Sequence, residues 1–278
     1  MIGMSTIDRQ AEPDALETQA RGENLTELVS QLPMAGVRTI LEVGCGSGAL
    51  TRALAMAAGP GTRVVGVDVR TTSLTVASRC ASRSGLTNIE FVHGDLLSPD
   101  LPHALAQRFD LVVCRYFLMY LVPRDLARTG VQRMMALARP GGLVACYEVD
   151  ANFGADRFPP PSAGLQRVLD SIVPVYRQLK LVEWRCGIML HHLLTASGLS
   201  EVDVRVADGR TICGTRPAAL VEHGCRDVAD LLLPCVRSLG DTDRLEEYVE
   251  EWARYLRSPN TFLYTPILLG TGKTSSQP

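Results

Sequence analysis

Two rhythms of apolar and polar residues alternate along this 278-residue chain. Short apolar runs at Thr39–Val43, 63–69, Ile89–His93, 110–115 and 143–149 read as strands. Between them, apolar residues recur at helix spacing over 15–32, 48–58, 72–84 and 125–138. Pro33 with Gly36, Gly59-Pro60-Gly61, Gly85 and Pro140-Gly141-Gly142 punctuate the boundaries. Strands alternating with helices predict parallel pairing, because a parallel crossover needs a helix-length connection. Right-handed crossovers then give a doubly wound α/β sheet with helices on both faces.

After Val149 the rhythm changes. Pro159-Pro160-Pro161 precedes a helical stretch over 163–181, and a further helix is predicted over 187–197. Residues 201–206 alternate as a strand, helices follow over 217–239 and 243–256, and 260–270 reads as a closing strand. The expectation is a leader and helix over 1–35, then one domain over 36–278. Additions near 151–186 and 208–258 would form a helical cap, and the tail from Thr271 is expected to fray.

Composition narrows the classes. Hydrophobic residues at 46 % and charged residues at 21 % exclude disorder. A net charge of −2 leaves no electrostatic footprint for nucleic acid or an anionic membrane. No apolar run reaches the roughly 18 residues of a membrane span, and no basic region with an apolar core opens the chain, so a cytoplasmic protein is expected. The 8 cysteines contain no C-x-x-C and read as reduced thiols, and no metal is expected.

Candidate chemistry gathers at strand ends. Gly44, Gly46 and Gly48 follow the first strand and open a helix, with Glu42 two residues ahead. Glycine permits the tight turn and lets a ligand approach bare backbone. Asp68 ends the second strand and can accept both hydrogens of a ribose diol. Asp95 follows the third strand. Together Glu42-x-Gly44-x-Gly46-x-Gly48, Asp68, Gly94-Asp95 and Pro140-Gly141-Gly142 resemble the class I S-adenosylmethionine (SAM)-dependent methyltransferases over about residues 35–150. A nicotinamide enzyme would carry its third glycine at position 49, where Ala stands, and a phosphate beside Glu42 would be repelled.

The resemblance implies a Rossmann-like, mostly parallel, seven-stranded sheet with a reversed last strand. It implies that the loop Gly44, Cys45, Gly46 and Gly48 passes under the methionine part of SAM. Glu42 then reaches the ammonium end and Asp68 takes the ribose hydroxyls. Val69 packs on adenine, Asp95 accepts from its amino group, and the Leu96 N–H meets a ring nitrogen. Cys114-Arg115 supplies a carbonyl to the ammonium, and Arg21 is a candidate for the carboxylate. The run from Arg115 to Leu121, and the sequence Tyr147-Glu148-Val149-Asp150, are similar to small-molecule members of natural-product type. No Asp/Asn-Pro-Pro-aromatic motif follows the fourth strand, against base and amide methylation. Acceptor contacts are therefore expected from Tyr116, Tyr120, Asp150 and Tyr176, and a general base from His191, His192 or Glu148. A small acceptor methylated on O, N or C follows, with a homodimer left open. Two alternatives stand: a protein or RNA methyltransferase, and a SAM-binding protein that catalyses a rearrangement without methylation.

Overall fold

The computed structural model describes residues 17, 24–101, 105, 108–153, 155, 157–212, 221–222, 224–225 and 228–276. Helix α1 (Leu25–Ser30) opens on Asn24, whose side chain accepts from the Glu27 N–H. Then come β1 (Thr39–Val43), α2 (Ala49–Ala58), β2 (Arg63–Asp68), α3 (Thr71–Arg83), β3 (Ile89–His93) and β4 (Phe109–Arg115). A short helix α4 (Leu118–Leu121), α5 (Ala127–Leu137) and β5 (Ala138–Val149) complete this alternation. Strand β6 (Arg157–Phe158), α6 (Ala163–Gln178), α7 (Cys186–Ser197) and β7 (Ser200–Ile212) follow. Helices α8 (Val228–Leu239) and α9 (Leu245–Arg257) precede β8 (Phe262–Lys273).

The strands form one sheet in the order β3-β2-β1-β4-β5-β8, with β7 on the outer side of β8. Strands β1 to β5 pair in parallel. Strand β8 runs antiparallel to both β5 and β7, the reversed strand the sequence led us to expect. The sheet has eight strands rather than seven. The extra one is the two-residue β6, which pairs with the start of β8 beyond the end of β5.

Both faces of the sheet are buried along β1, β2, β4 and the second half of β5, as unalternating apolar strands require. Ile40, Val64 and Leu111 pack with Leu28, Leu50 and Leu54 from α1 and α2. Their sequence neighbours Leu41, Val65 and Val112 point the other way, into a core shared with α5 to α9. In α6 the buried residues Leu165, Val168, Leu169, Ile172, Val175 and Tyr176 recur at helix spacing. Glu251 of α9 accepts from both the N–H and the hydroxyl of Ser162, the α6 cap, at 2.7 Å.

Some boundaries differ from the sequence reading. Strand β5 begins at Ala138, because Pro140-Gly141-Gly142 continues it rather than stopping before it. Residues 271–276 do not fray: Thr274 donates to the Gly142 carbonyl at 2.9 Å, and Gly141 donates to Ser275 at 3.1 Å. Part of the helix expected over 15–32, and part of that over 217–239, lie outside the described residues. Among the described residues no helix is long and apolar enough to cross a membrane.

Candidate active site

Strands β1 to β5 end along one edge, where the register aligns Val43 with Val67 and Cys114, Asp68 with His93, and Cys114 with Cys146. Gly44, Gly46 and Gly48 take φ of 68°, 53° and 73°, the left-handed region that side chains disfavour. Space adds a second reason. A Cβ on Gly44 would lie 2.7 Å from the Phe117 ring, and one on Gly48 2.8 Å from Phe91. The turn is pinned by Cys45 N–H to the Val67 carbonyl at 3.0 Å and by Gly46 N–H to Asp68 Oδ2 at 2.8 Å.

Asp68 also accepts the Arg70 N–H through Oδ1 at 2.9 Å. Its carboxylate thus ties the glycine turn to the start of α3. A carboxylate offers about four acceptor positions, so two remain. Next to it Val69 is 55 % exposed. His93 Nε2 lies 3.1 Å from the Val69 carbonyl, which makes His93 part of the frame. Asp95 is exposed and accepts the Leu97 N–H at 2.9 Å, while Leu96 is buried.

Glu42 is buried beneath the loop and accepts the Thr51 hydroxyl. Burial pushes its carboxyl up to about 7, and the Asp68 charge adds to this, while Thr51 and Arg115 oppose it. The thiols of Cys45 and Cys114 are pushed up by burial, so neither is a nucleophile.

On the other side of the edge, Tyr116 has φ 52° and donates its N–H to the Tyr147 carbonyl at 2.8 Å. The Arg115 guanidinium lies 5.0 Å from the centre of the Tyr116 ring. Glu148 is fully buried and accepts three backbone N–H groups: Phe117 at 2.9 Å, Leu118 at 2.6 Å and Met119 at 3.3 Å. The Cys186 thiol is its further partner. Burial raises the carboxyl to about 7 against the pull of those N–H groups.

Several expectations are corrected here. Glu148 is no base for an acceptor: it is sealed from solvent and its oxygens hold the turn after β4. Asp150 forms an ion pair with Arg185, so its carboxylate is engaged. Tyr176 is a core residue, fully buried, with its hydroxyl donating to the Leu231 carbonyl at 3.1 Å. His191 and His192 are both exposed on α7. That helix begins against the Glu148 and Val149 carbonyls, where Gly187 allows close approach, and descends with Leu190 and Leu194 on Gly270. The two histidines therefore face solvent below the edge. Arg21 lies outside the described residues. Tyr120, half-buried, keeps its hydroxyl protonated, with its pKa pushed up to about 12 by burial.

Two features escaped the sequence reading. Phe117 wedges against Gly44 and so joins the turn after β4 to the glycine loop. The segment 183–186 straps that edge: Glu183 N–H donates to the Met119 carbonyl, and Ala151 N–H to the Trp184 carbonyl, both at 2.8 Å. No spacing rule pairs residue 119 or 151 with this segment. Among the described residues no three His, Cys, Asp or Glu side chains are grouped to hold a metal ion.

Known proteins match this frame. Residues 40–142 match a family model described as a methyltransferase domain. A ubiquinone biosynthesis O-methyltransferase from Leptothrix cholodnii is 35 % identical over 115 residues, 41 % of this chain and 45 % of that protein. A demethylmenaquinone methyltransferase from Geobacillus stearothermophilus is 32 % identical over 108 residues, 39 % and 44 % of the two chains. The matches thus span less than half the length of these curated relatives. In fold, an O-methyltransferase family protein from Burkholderia thailandensis superposes with TM-score 0.60 at 16 % identity, covering 100 % of this chain and 65 % of that one. Human N-acetylserotonin methyltransferase in complex with SAM gives 0.51 at 17 %, covering 73 % and 52 %. Residues 40–142 thus match a methyltransferase domain in sequence, and with the glycine turn, Asp68 and the reversed β8 the chain has the fold of these methyltransferase structures.

Proposed function

We propose that the chain transfers the methyl group of SAM to a nucleophilic atom of a small metabolite. One observation carries this reading: Asp68 anchors the glycine turn through Gly46 while keeping acceptor capacity beside the exposed Val69. The donor set suits a cation, since three acids, Glu42, Asp68 and Asp95, line this edge beside the two arginines Arg70 and Arg115. When bound, SAM supplies an electrophilic methyl on a sulfonium. Asp68 would take the ribose hydroxyls, Val69 would pack on the adenine, the Leu96 N–H would meet a ring nitrogen, and Asp95 would accept from its amino group. Glu42, with the loop Gly44, Cys45, Gly46 and Gly48, and Cys114-Arg115, hold the amino-acid end.

Tyr116, Phe117 and Tyr120 face the acceptor, held in place by Glu148. With Glu148 and Asp150 engaged and both histidines in solvent, the chain works by alignment and exclusion of water rather than through a dedicated base. The names of two relatives point to quinone biosynthesis, which favours a hydroxyl or ring carbon as the methylated atom. The slightly acidic net charge favours a small molecule over nucleic acid.

Calorimetric titration with SAM and S-adenosylhomocysteine, with NADH as control, tests the cofactor, and methyl incorporation into small acceptors tests the activity. Binding of both sulfur ligands but not NADH is expected. Binding of NADH alone would overturn the reading.

A further inference from the structure

The strap at 183–186 holds a donor without a partner. The Trp184 ring is half-buried, its Nε1 is sealed from solvent, and no hydrogen-bond acceptor reaches it among the described residues. An orphaned buried donor costs roughly 1–3 kcal/mol, so such a group calls for a partner in some working state. Its surroundings indicate which. The Trp184 carbonyl receives the Ala151 N–H just past β5, and the preceding Glu183 N–H reaches Met119 just past β4. Since β1, β4 and β5 are adjacent in the sheet, Trp184 sits on the same lip as the glycine loop, on its acceptor side.

The lip is aromatic. The chain has only 2 Trp, 7 Tyr and 6 Phe. Yet Tyr116, Phe117, Tyr120, Phe153 and Trp184, all half-buried, gather on the turns after β4 and β5 and on the strap. Phe153 meets Trp184 edge-on at 5.2 Å between ring centres, and Tyr176 braces the indole from the core side at 6.0 Å. Four contacts fix the strap itself: Glu183 to Met119, Trp184 to Ala151, Arg185 to Asp150 and Cys186 to Glu148. The strap around it is thus preorganised, which lowers the ordering cost of binding a partner, and because Nε1 is sealed a ligand reaches it only as a ring packed on the indole, such as Phe153, shifts aside.

We propose that Trp184 is a specificity-determining residue for the acceptor, donating its indole N–H to an oxygen of a planar aromatic molecule bound against Tyr116, Tyr120 and Phe153. This rests on the methyltransferase reading and deepens it. Aromatic walls recognise a flat ring through offset and edge contacts, and one buried donor discriminates strongly for an oxygen at a fixed position on it.

The chain's 2 tryptophans make a direct test available. In Trp252→Phe, Trp184 is the sole indole reporter. The protein is first titrated with S-adenosylhomocysteine, then with catechol, 2,3-dihydroxynaphthalene and, as a non-aromatic match, cyclohexane-1,2-diol. Both aromatic diols are expected to change Trp184 emission saturably, and the saturated diol is not. Trp184→Phe, followed by calorimetry, should weaken the aromatic diols by roughly 10-fold, the scale of one hydrogen bond, while S-adenosylhomocysteine affinity stays the same. Should S-adenosylhomocysteine bind while neither aromatic diol does, or should the saturated diol bind equally well, the aromatic assignment falls and the methyltransferase reading survives. Equal affinities in Trp184→Phe would remove the donor role. Failure of S-adenosylhomocysteine to bind at all would overturn both.

Discussion

The two sides of the carboxyl edge are built differently. On the side of β1 to β3 the site is made of backbone: left-handed glycines, N–H groups and one carboxylate, Asp68, that spans 22 residues of sequence to reach Gly46. On the side of β4 and β5 it is made of side chains held by distant partners. Glu148 grips the turn at Phe117, Leu118 and Met119, and the strap at 183–186 returns to residues 119, 148, 150 and 151. On the proposed function, the cofactor would be met by geometry the chain makes locally, and the acceptor by a surface that exists only once the whole molecule has packed.

Substitutions separate the two constructions. Gly48→Val should cost the most, about 2–6 kcal/mol of stability, because a left-handed φ and a clash with Phe91 and Ala77 add together. Urea unfolding would read it, and a loss below about 1 kcal/mol would mean that the loop shifts freely. Glu148→Ala should cost about 3 kcal/mol or more by orphaning three buried N–H groups. The milder Glu148→Gln should keep S-adenosylhomocysteine affinity within about 3-fold yet lower turnover. Equal losses of both would show the two sides to be one unit, coupled through Phe117. Asp68→Ala should weaken SAM by on the order of 1.5–3 kcal/mol in calorimetry.

Proton linkage offers a subtler contrast. Glu42 and Glu148 are both raised to about 7 from 4.5, so the folded state keeps protons that the unfolded chain releases. Their contribution to stability therefore falls as pH rises from about 4.5 to about 7. Urea midpoints across that window should show the decline, and Glu42→Gln should reduce it. A cation bound beside Glu42 favours its ionised form, so SAM affinity should climb with pH by up to about 10-fold per unit below 7, then flatten. A flat profile in wild type would remove Glu42 from the cofactor. Smallest of all, His191→Ala and His192→Ala should change stability by less than about 0.5 kcal/mol and leave turnover intact.

The same division governs what could be read from sequence. Strands β1 to β5, the glycine turn and the acid that ends β2 were legible because each is set by local chemistry: apolar runs, glycine, and acids at strand ends; the reversal of β8 came from the family resemblance alone. The acceptor side was not. Nothing local distinguishes a carboxylate that meets a substrate from one that caps a turn, as Glu148 does. Tyr176 and the histidine pair were misassigned for the same reason, since polarity in sequence does not fix direction in space. An unpartnered N–H such as that of Trp184 is likewise a property of its neighbours and leaves no mark in the sequence.

The place of β8 also bears on the order in which the molecule is assembled. It pairs with β5 along Leu143 to Val149 and with β7 along most of its length, yet it is the last strand in the chain. During synthesis β5 and β7 emerge with open edges and no neighbour between them, and such edges invite pairing with other chains. The cofactor-side strands, complete by β5, can pair earlier. The strap reaches its partners near β5 before β8 closes the gap. Nascent chains stalled before Phe262 should therefore hold a formed glycine turn beside an unfinished sheet, and depend on chaperones until β8 slots in.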